Sequence, residues 1–310
     1  MKGETIPNAF IERWERFYGI SIAKSIVSNL KQTDPKIIVH NSLKISPSDL
    51  KIRLEKKGFK FDELNKFNAL VIKVEPFNIV STPEYLTGMF SIQALSSLIP
   101  PICLQPSPQD IVADLAASPG IKTCILAQRM QNQGTIIAIE KSKQRISALK
   151  ANTVRMGVSN TIILNFDSIL FPKLNIYVDS ILLDAPCSGT GLKLVKNKRL
   201  GPRMLKDIER QVQRQKLLLN AAWNQLKPKG TLVYSTCSLE PEEGEVQISA
   251  FLDNHENEAE LVPISLDVGM SGDKTNWISP LHPQLSKTLR IFPEIGYDGF
   301  FTAVVKKVIL

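Results

Sequence analysis

The chain has 310 residues, 43% of them hydrophobic, with 16 glycines and 19 prolines, a composition that suits a folded protein of about two domains and excludes collagenous, low-complexity and disordered classes. Its four cysteines, Cys103, Cys124, Cys187 and Cys237, are too sparse for a disulfide framework and lack the close spacing of a zinc site, so free thiols in a reducing cytoplasm are expected, without a metal. A formal net charge of +8 favours polyanionic partners over basic ones.

The start, Met1-Lys2-Gly3-Glu4, leads into no apolar core, so no signal peptide is expected. Residues 1–78 read as a small α/β unit with a mild basic excess. Ile11, Trp14, Phe17 and Tyr18 recur at helical spacing, as do Ile22, Ala23, Ile26, Val27 and Leu30. Lys36 to Leu43 reads as a strand. Ser46-Pro47 supplies the cap and first turn of a helix that Gly58 ends, and Asn68 to Val74 reads as another strand. The uncharged stretch from Tyr85 to Gln109 has the length of a membrane span, but Gln93, Ser96, Ser97 and Pro100-Pro101 interrupt it. It reads as a buried helix running into a turn.

From Ile111 the pattern alternates. Strands are predicted at Ile111 to Leu115, Thr135 to Ile139, Thr161 to Phe166, Ser180 to Asp184 and Thr231 to Tyr234. Helices fall between them at Gly120 to Met130, Ser142 to Met156 and Lys206 to Leu226, and Lys227-Pro228-Lys229-Gly230 turns into the last strand. Gly299 to Val305 is a late strand of the same sheet. Such alternation implies a doubly wound, mostly parallel sheet occupying residues 79–310.

In an open α/β sheet, ligands collect at the carboxyl ends of the strands. The first strand ends in Asp114-Leu115-Ala116-Ala117-Ser118-Pro119-Gly120-Ile121-Lys122-Thr123, a small-residue loop that is either a tight turn or a backbone cradle for a ligand. The dinucleotide fingerprint needs three spaced glycines, and a P-loop needs glycine where Ile121 stands. Glu140 ends the second strand, where an acid can hold ribose hydroxyls. Asp167 follows the third, either to accept from an adenine amino group or to cap the next turn. Loop, Glu140 and Asp167 together describe an adenosine site without a pyrophosphate anchor, which S-adenosylmethionine fits.

The fourth strand runs into Asp184-Ala185-Pro186-Cys187-Ser188-Gly189-Thr190-Gly191 and the fifth into Ser235-Thr236-Cys237-Ser238. Two thiols and a carboxylate therefore converge on one crevice, which points to covalent chemistry. Beyond Gly191, nine basic residues from Lys193 to Lys216 face only Asp207 and Glu209, as a solvated helix face or a phosphate-tracking surface.

These residues resemble the RNA cytosine carbon-5 methyltransferases of the NOL1/NOP2/Sun group, and within it the single-chain archaeal tRNA enzymes. The resemblance runs from about Ile79 to the end. It rests on Thr82-Pro83-Glu84-Tyr85-Leu86, Ser91 to Pro101, the Asp114 loop, the Asp184 motif, Arg214-Gln215, Tyr234 to Glu243, Arg290-Ile291-Phe292-Pro293 and Asp298-Gly299-Phe300-Phe301. More weakly, Val39-His40-Asn41-Ser42-Leu43-Lys44 is similar to a strand of the small RNA-binding domain that precedes many relatives.

The resemblance implies a class I Rossmann-like methyltransferase fold behind a small N-terminal α/β RNA-binding domain. It implies a monomer acting on RNA, either tRNA or rRNA. It assigns nucleophilic attack on cytosine carbon 6 to Cys237, product release to Cys187 and the ring edge to Asp184. It assigns the cofactor to Ala116, Ala117, Ser118, Pro119, Gly120, Ile121, Lys122, Glu140, Arg145, Asp167 and Asp184. The family loop reads Cys-Ala-Ala-Pro-Gly-Gly-Lys; here Ala116, Ser118 and Ile121 depart from it, and a β-branched residue tolerates positive φ poorly, so an altered loop is expected. Cytosine enzymes acting on DNA use a Pro-Cys nucleophile, which would favour Cys187. An amino-group methyltransferase, which favours an Asp/Asn-Pro-Pro-aromatic motif, and a non-catalytic RNA-binding assembly factor are the competing functions.

If the basic run grips RNA, neutralising Lys196, Lys198, Arg199 and Arg203 together lowers tRNA affinity. It also flattens the salt dependence, by up to about one unit of slope per lost contact. Filter binding across a salt series measures both, and an unchanged slope assigns the run to solvent.

Overall fold

The alternating apolar runs become strands of one large sheet because each is flanked by amphipathic helices that can cover both of its faces. The computed structural model describes residues 6–64, 67–194, 205–272 and 281–308. Parallel strands β5 (Ile111–Asp114), β6 (Thr135–Ile139), β7 (Thr161–Leu164), β8 (Val178–Asp184) and β9 (Leu226–Thr236) lie in the order β9-β8-β5-β6-β7. The order reverses between β5 and β8, which is where a doubly wound sheet opens a crevice. Strand β13 (Phe300–Lys307) extends it antiparallel to β9, followed by β12 (Leu289–Ile291) and β11 (Met270–Ser271), while β10 (Ala259–Val262) pairs with the far part of β13.

One face packs Leu183, Tyr234 and Phe301 against Trp223 of α8 (Leu205–Gln225) and Phe251 of α9 (Glu245–Asn254). The other packs Val112, Leu182 and Val233 against α5 (Ile99–Leu104) and α6 (Ile121–Arg129). The chain is thus α/β with a mostly parallel, Rossmann-like sheet. Among the described residues no helix is long and apolar enough to cross a membrane.

The front of the chain builds a second, antiparallel sheet in the order β2-β3-β1-β4 from β1 (Ile37–His40), β2 (Lys60–Leu64), β3 (Ala69–Val74) and β4 (Phe90–Ile92). A division at residue 78 cuts this sheet, because β4 lies beyond it. Helix α3 (Pro47–Glu55) starts where expected, with the Ser46 hydroxyl accepting from the Asp49 amide. Helices α1 (Asn8–Tyr18) and α2 (Ile20–Leu30) leave the small sheet and pack on the large unit, burying Trp14, Tyr18 and Ile26 against Leu194, Ile208 and Leu239.

Three expectations need correction. The uncharged stretch from Tyr85 to Gln109 is not one helix. It holds the end of α4 (Pro83–Leu86), then β4, then α5, with Pro100 and Pro101 in the first turn of α5, where no amide donor is needed. Strand β1 stops at His40 because Asn41 turns inward. The Lys227-Pro228-Lys229-Gly230 turn is a bulge inside β9: pairing with β8 steps from Val178–Leu226 to Ser180–Thr231.

Asn41 is fully buried and its Nδ2 donates to the carbonyls of Gly88 and Met156, at 2.8 and 2.7 Å. Lys44 Nζ donates to the carbonyls of Thr87 and Arg155 at 2.6 and 2.8 Å. The two side chains thereby satisfy carbonyls at the end of α7 (Lys143–Met156) and join the small sheet to the large unit. Asn41→Ala leaves buried carbonyls without donors and is expected to destabilise the fold by about 1–3 kcal/mol. A urea midpoint equal to wild type contradicts that role.

Candidate active site

Parallel pairing sets Asp184, the last residue of β8, opposite Ser235 near the end of β9. The segments leaving the two strands carry Cys187 and Cys237, whose Sγ atoms lie 3.1 Å apart as free, partly exposed thiols. Asp184 Oδ1 accepts from the Ser235 hydroxyl at 2.8 Å, and its Oδ2 pairs with Lys122 Nζ at 2.7 Å. Burial works against the Lys122 ammonium. The charge and hydrogen bond of Asp184, with Cys237 and Asp114 behind it, outweigh burial and hold its pKa above the ordinary lysine value. Cys187 is held well above the ordinary thiol value, first by its hydrogen bond with Cys237, then by burial and the charges of Cys237, Glu243 and Asp184. Cys103 and Cys124 sit in the packing away from the crevice, and burial pushes them up to about 11 and about 12.

A cavity of about 400 Å³ runs along Asp114, the loop from Ala116 to Pro119, Ile121, Lys122 and Asp184, and is also lined by Ile37 and Ile92 of the small sheet and by Gln93 just past it. A second, of about 390 Å³, is lined by Glu140, Lys141, Arg145, Asp167 and Arg214, and Ala116 borders both. The expected cofactor residues are therefore brought together, except that Gly120 acts from behind the loop. Gly120 has φ +100°, and a Cβ there would meet Leu149 Cδ1 at 2.8 Å. It lets the loop sit on α7. Ile121 carries no positive φ; it is the first residue of α6. The expected distortion from a β-branched residue is thus avoided, because one glycine suffices.

Glu140 Oε1 accepts from the Ser142 amide at 2.7 Å, and Arg145 lies 3.3 Å from Oε2. Arg145 also donates to the Ser118 carbonyl at 2.7 Å while the Ser118 hydroxyl donates back to the Arg145 carbonyl at 2.9 Å. Arg145 thus braces the loop. Asp167 both lines the second cavity and caps the following turn through the Ile169 amide. Burial works against its charge, but hydrogen bonds from Lys141 and Ile169 and the charge of Arg214 hold its pKa below the ordinary range.

Four polar groups behind the thiols were not singled out from the sequence. Glu243 and Gln215 are buried under the Cys187 loop. Arg290 and Glu245 form an ion pair with both side chains fully buried, and Arg290 Nη1 donates to the Ser238 carbonyl. All four fall within or beside the quoted motifs, which was the available signal. Lys193, counted with the basic run, is a correction: it is fully buried, and its Nζ donates to the carbonyls of Asn29 and Glu294 at 3.0 and 2.9 Å. Lys196, Lys198, Arg199 and Arg203 lie outside the described residues.

A family model described as 16S rRNA methyltransferase RsmB/F matches residues 101–306. The chain belongs to this family. It is 37% identical to a 28S rRNA (cytosine-C(5))-methyltransferase of Mus musculus, across 86% of this chain and 34% of the relative. It is 33% identical to the tRNA (cytosine(49)-C(5))-methyltransferase of Pyrococcus abyssi, across 86% of both chains. A solved methyltransferase homologue from Pyrococcus horikoshii superimposes with a TM-score of 0.88 at 38% identity, covering 99% of this chain and 96% of that one. The chain spans 34% to 50% of the length of eukaryotic rRNA relatives from mouse, worm, human and fission yeast.

The methyl donor implied for this methyltransferase family is S-adenosylmethionine, and the residues present fit it. Glu140 and Asp167 line one nucleoside-sized cavity, Asp114 and Asp184 line the adjoining one, and the glycine-backed loop between them lets a ligand approach the backbone.

Asp114 is buried, and burial pushes its pKa up to about 6 against the opposing hydrogen bond from the Thr123 hydroxyl. The unfolded value lies near 3.9, so the folded chain binds this proton more tightly. The resulting stability is fully present below about pH 4 and is lost as pH rises through about 6, roughly 2–3 kcal/mol in all. Asp114→Asn is expected to flatten that segment of the curve. Tm measured from pH 4 to 7.5 decides it: parallel curves for variant and wild type contradict the assignment.

Proposed function

We propose that this chain methylates carbon 5 of cytosine in RNA, with tRNA as its substrate, through a covalent adduct at Cys237. The observation that carries the reading is the pair of thiols 3.1 Å apart at adjacent strand tips, beside the Lys122–Asp184 pair. Carbon 5 of cytosine is a weak nucleophile. The Cys237 thiolate adds to carbon 6, the carbon 5–carbon 6 double bond opens, and its electron pair becomes available at carbon 5. S-adenosylmethionine, when bound, supplies an electrophilic methyl group for that carbon. Loss of the carbon-5 proton to a base restores the double bond and expels the Cys237 sulfur.

Lys122 offers positive charge to the Cys237 thiolate, and Asp184, paired with Lys122 at the tip of β8, hydrogen-bonds the ring edge near nitrogen 3 in this reading. Cys187, which stays protonated, donates to the departing Cys237 sulfur and so assists release. The Lys122 ammonium on the Cys237 side, and the raised pKa of the Cys187 thiol, favour Cys237 over Cys187 as nucleophile. Glu140 and Asp167 hold the adenosine half, while Arg145 holds the loop. The target base must leave its stack to reach the crevice, and the small antiparallel sheet built by β1 to β4 supports the flanking RNA.

Support for tRNA comes from the Pyrococcus abyssi tRNA enzyme, which matches this chain over 86% of both lengths, whereas the eukaryotic rRNA relatives carry long additional segments. The family description, which names 16S rRNA, supports rRNA as the second reading.

Cys237→Ala is expected to abolish methylation, by at least about 10⁴-fold if covalent catalysis is lost. Cys187→Ala is expected to accumulate a protein–RNA adduct that survives a denaturing gel when cofactor is present. Near-normal turnover by folded Cys237→Ala sinks the assignment, and absence of both adduct and activity in Cys187→Ala exchanges the two roles. Bisulfite sequencing of RNA treated with the purified protein separates tRNA from rRNA.

A further inference from the structure

Glu243 is fully buried in the turn between β9 and α9, and among the described residues no lysine or arginine pairs with it. Its carboxylate is held by neutral donors. The Ser188 amide reaches Oε1 at 2.9 Å, the Ser188 hydroxyl reaches Oε2, and Gln215 Nε2 reaches Oε1 at 3.0 Å. The same Gln215 Nε2 donates to the Pro186 carbonyl at 2.9 Å. Residues 186 and 188 flank Cys187, so both sides of that thiol are tied to one carboxylate. Ser188 is tied in turn to Ser238, next to Cys237, by an Oγ–Oγ contact of 3.0 Å. Tyr234 fixes the other end of Glu243 by donating to its backbone carbonyl at 2.8 Å.

A carboxylate kept in low dielectric without a cation acts strongly on neighbouring ionisable groups. We propose that Glu243 is a positioning residue: it grips both flanks of Cys187, holds that thiol against Cys237 and sets a carboxylate beside it, so that Cys237 and not Cys187 attacks. The proposal rests on Cys237 being the nucleophile. The groups facing Cys187 are Asp184 from β8, Cys237 and Tyr234 from the β9 segment, and Glu243 itself; of the cations around them, Lys122 of α6 pairs with Asp184, Arg290 of β12 pairs with Glu245, and Arg214 of α8 lines the second cavity beside Pro186. The Glu243 charge is among the causes that raise the Cys187 pKa. A structural role alone would need the hydrogen bonds but not the charge.

The test is partial alkylation by iodoacetamide between pH 6.5 and 10 under single-hit conditions, with each cysteine followed by peptide mass spectrometry. It needs no RNA, so it remains informative even if the RNA substrate is misassigned; methylation by wild-type protein tests that reading separately. In Glu243→Gln, which retains the shape but loses the charge, Cys187 alkylation at pH 8 should rise about tenfold. In Glu243→Asp, which retains the charge, it should stay within about threefold of wild type. Calorimetry with S-adenosylmethionine checks that the variants are folded. No rise in folded Glu243→Gln, or an equal rise in both variants, overturns the proposal. If Glu243→Gln does not fold, Gln215→Ala decides instead: it keeps the charge and loosens the loop. Cys187 alkylation near the wild-type rate then supports the proposal, and a tenfold rise overturns it.

Discussion

The parallel pairing of β8 with β9 is the constraint on which the site depends. Two strands joined side by side in parallel end at the same edge of the sheet, so whatever follows them is forced together. Here the register places Asp184 against Ser235, so that Cys237, the residue after β9, and Cys187, in the short loop after β8, come into contact. The bulge at Lys227 to Gly230 lies at the opposite end of β9, so its irregularity is absorbed before the reacting end. Each sheet face packs against its own helices, so a one-residue slip of this register would turn every side chain to the wrong face.

The edge so formed is stabilised by buried charge rather than by apolar packing alone. Arg290 pairs with Glu245 and holds the Ser238 carbonyl; Glu240 is held by Arg13 and by the Trp14 indole. Such pairs contribute little net stability compared with apolar replacements, but removing one partner strands the other and typically costs about 3–5 kcal/mol. Their effect is to fix the Cys237 segment in one position. The cofactor loop is fixed in a comparable way, by Gly120 against Leu149, by Arg145 against Ser118 and by the Asn152 amide on the Pro119 carbonyl. Thiols and loop are thus anchored independently and meet at Lys122 and Asp184.

Much of this was legible because the physics was local. Apolar runs such as Ile181 to Leu183, bounded by small-residue loops, announce buried strands, and a cysteine just past such a run must lie at its tip. Gly120 declared a tight approach. What was not legible depended on partners distant in sequence. Strand β2, Lys60–Leu64, is an edge strand with charged and partly exposed residues, so it lacks the alternation that marks a half-buried strand. Strand β4 has three residues inside a run that is apolar in every period. Lys193 looked like one more cation in a basic run; only the fold supplies Asn29 and Glu294 around it. Glu243 stood at the end of the Tyr234 to Glu243 motif without a role until the fold brought Ser188 and Gln215 to it.

The packing of α1 and α2 sets a limit on modularity. Trp14 and Arg13 hold Glu240, and the Tyr18 hydroxyl donates to the Leu239 carbonyl, so the Cys237 segment is clasped by residues more than two hundred positions away. A recombination event or engineered fusion that exchanged the front of this chain for another recognition module would also remove the outer wall of the reacting edge. Such grafts keep a working edge only if the join falls after Leu30 and the exchange stops before α5, leaving the first two helices and the cover of the large sheet in place.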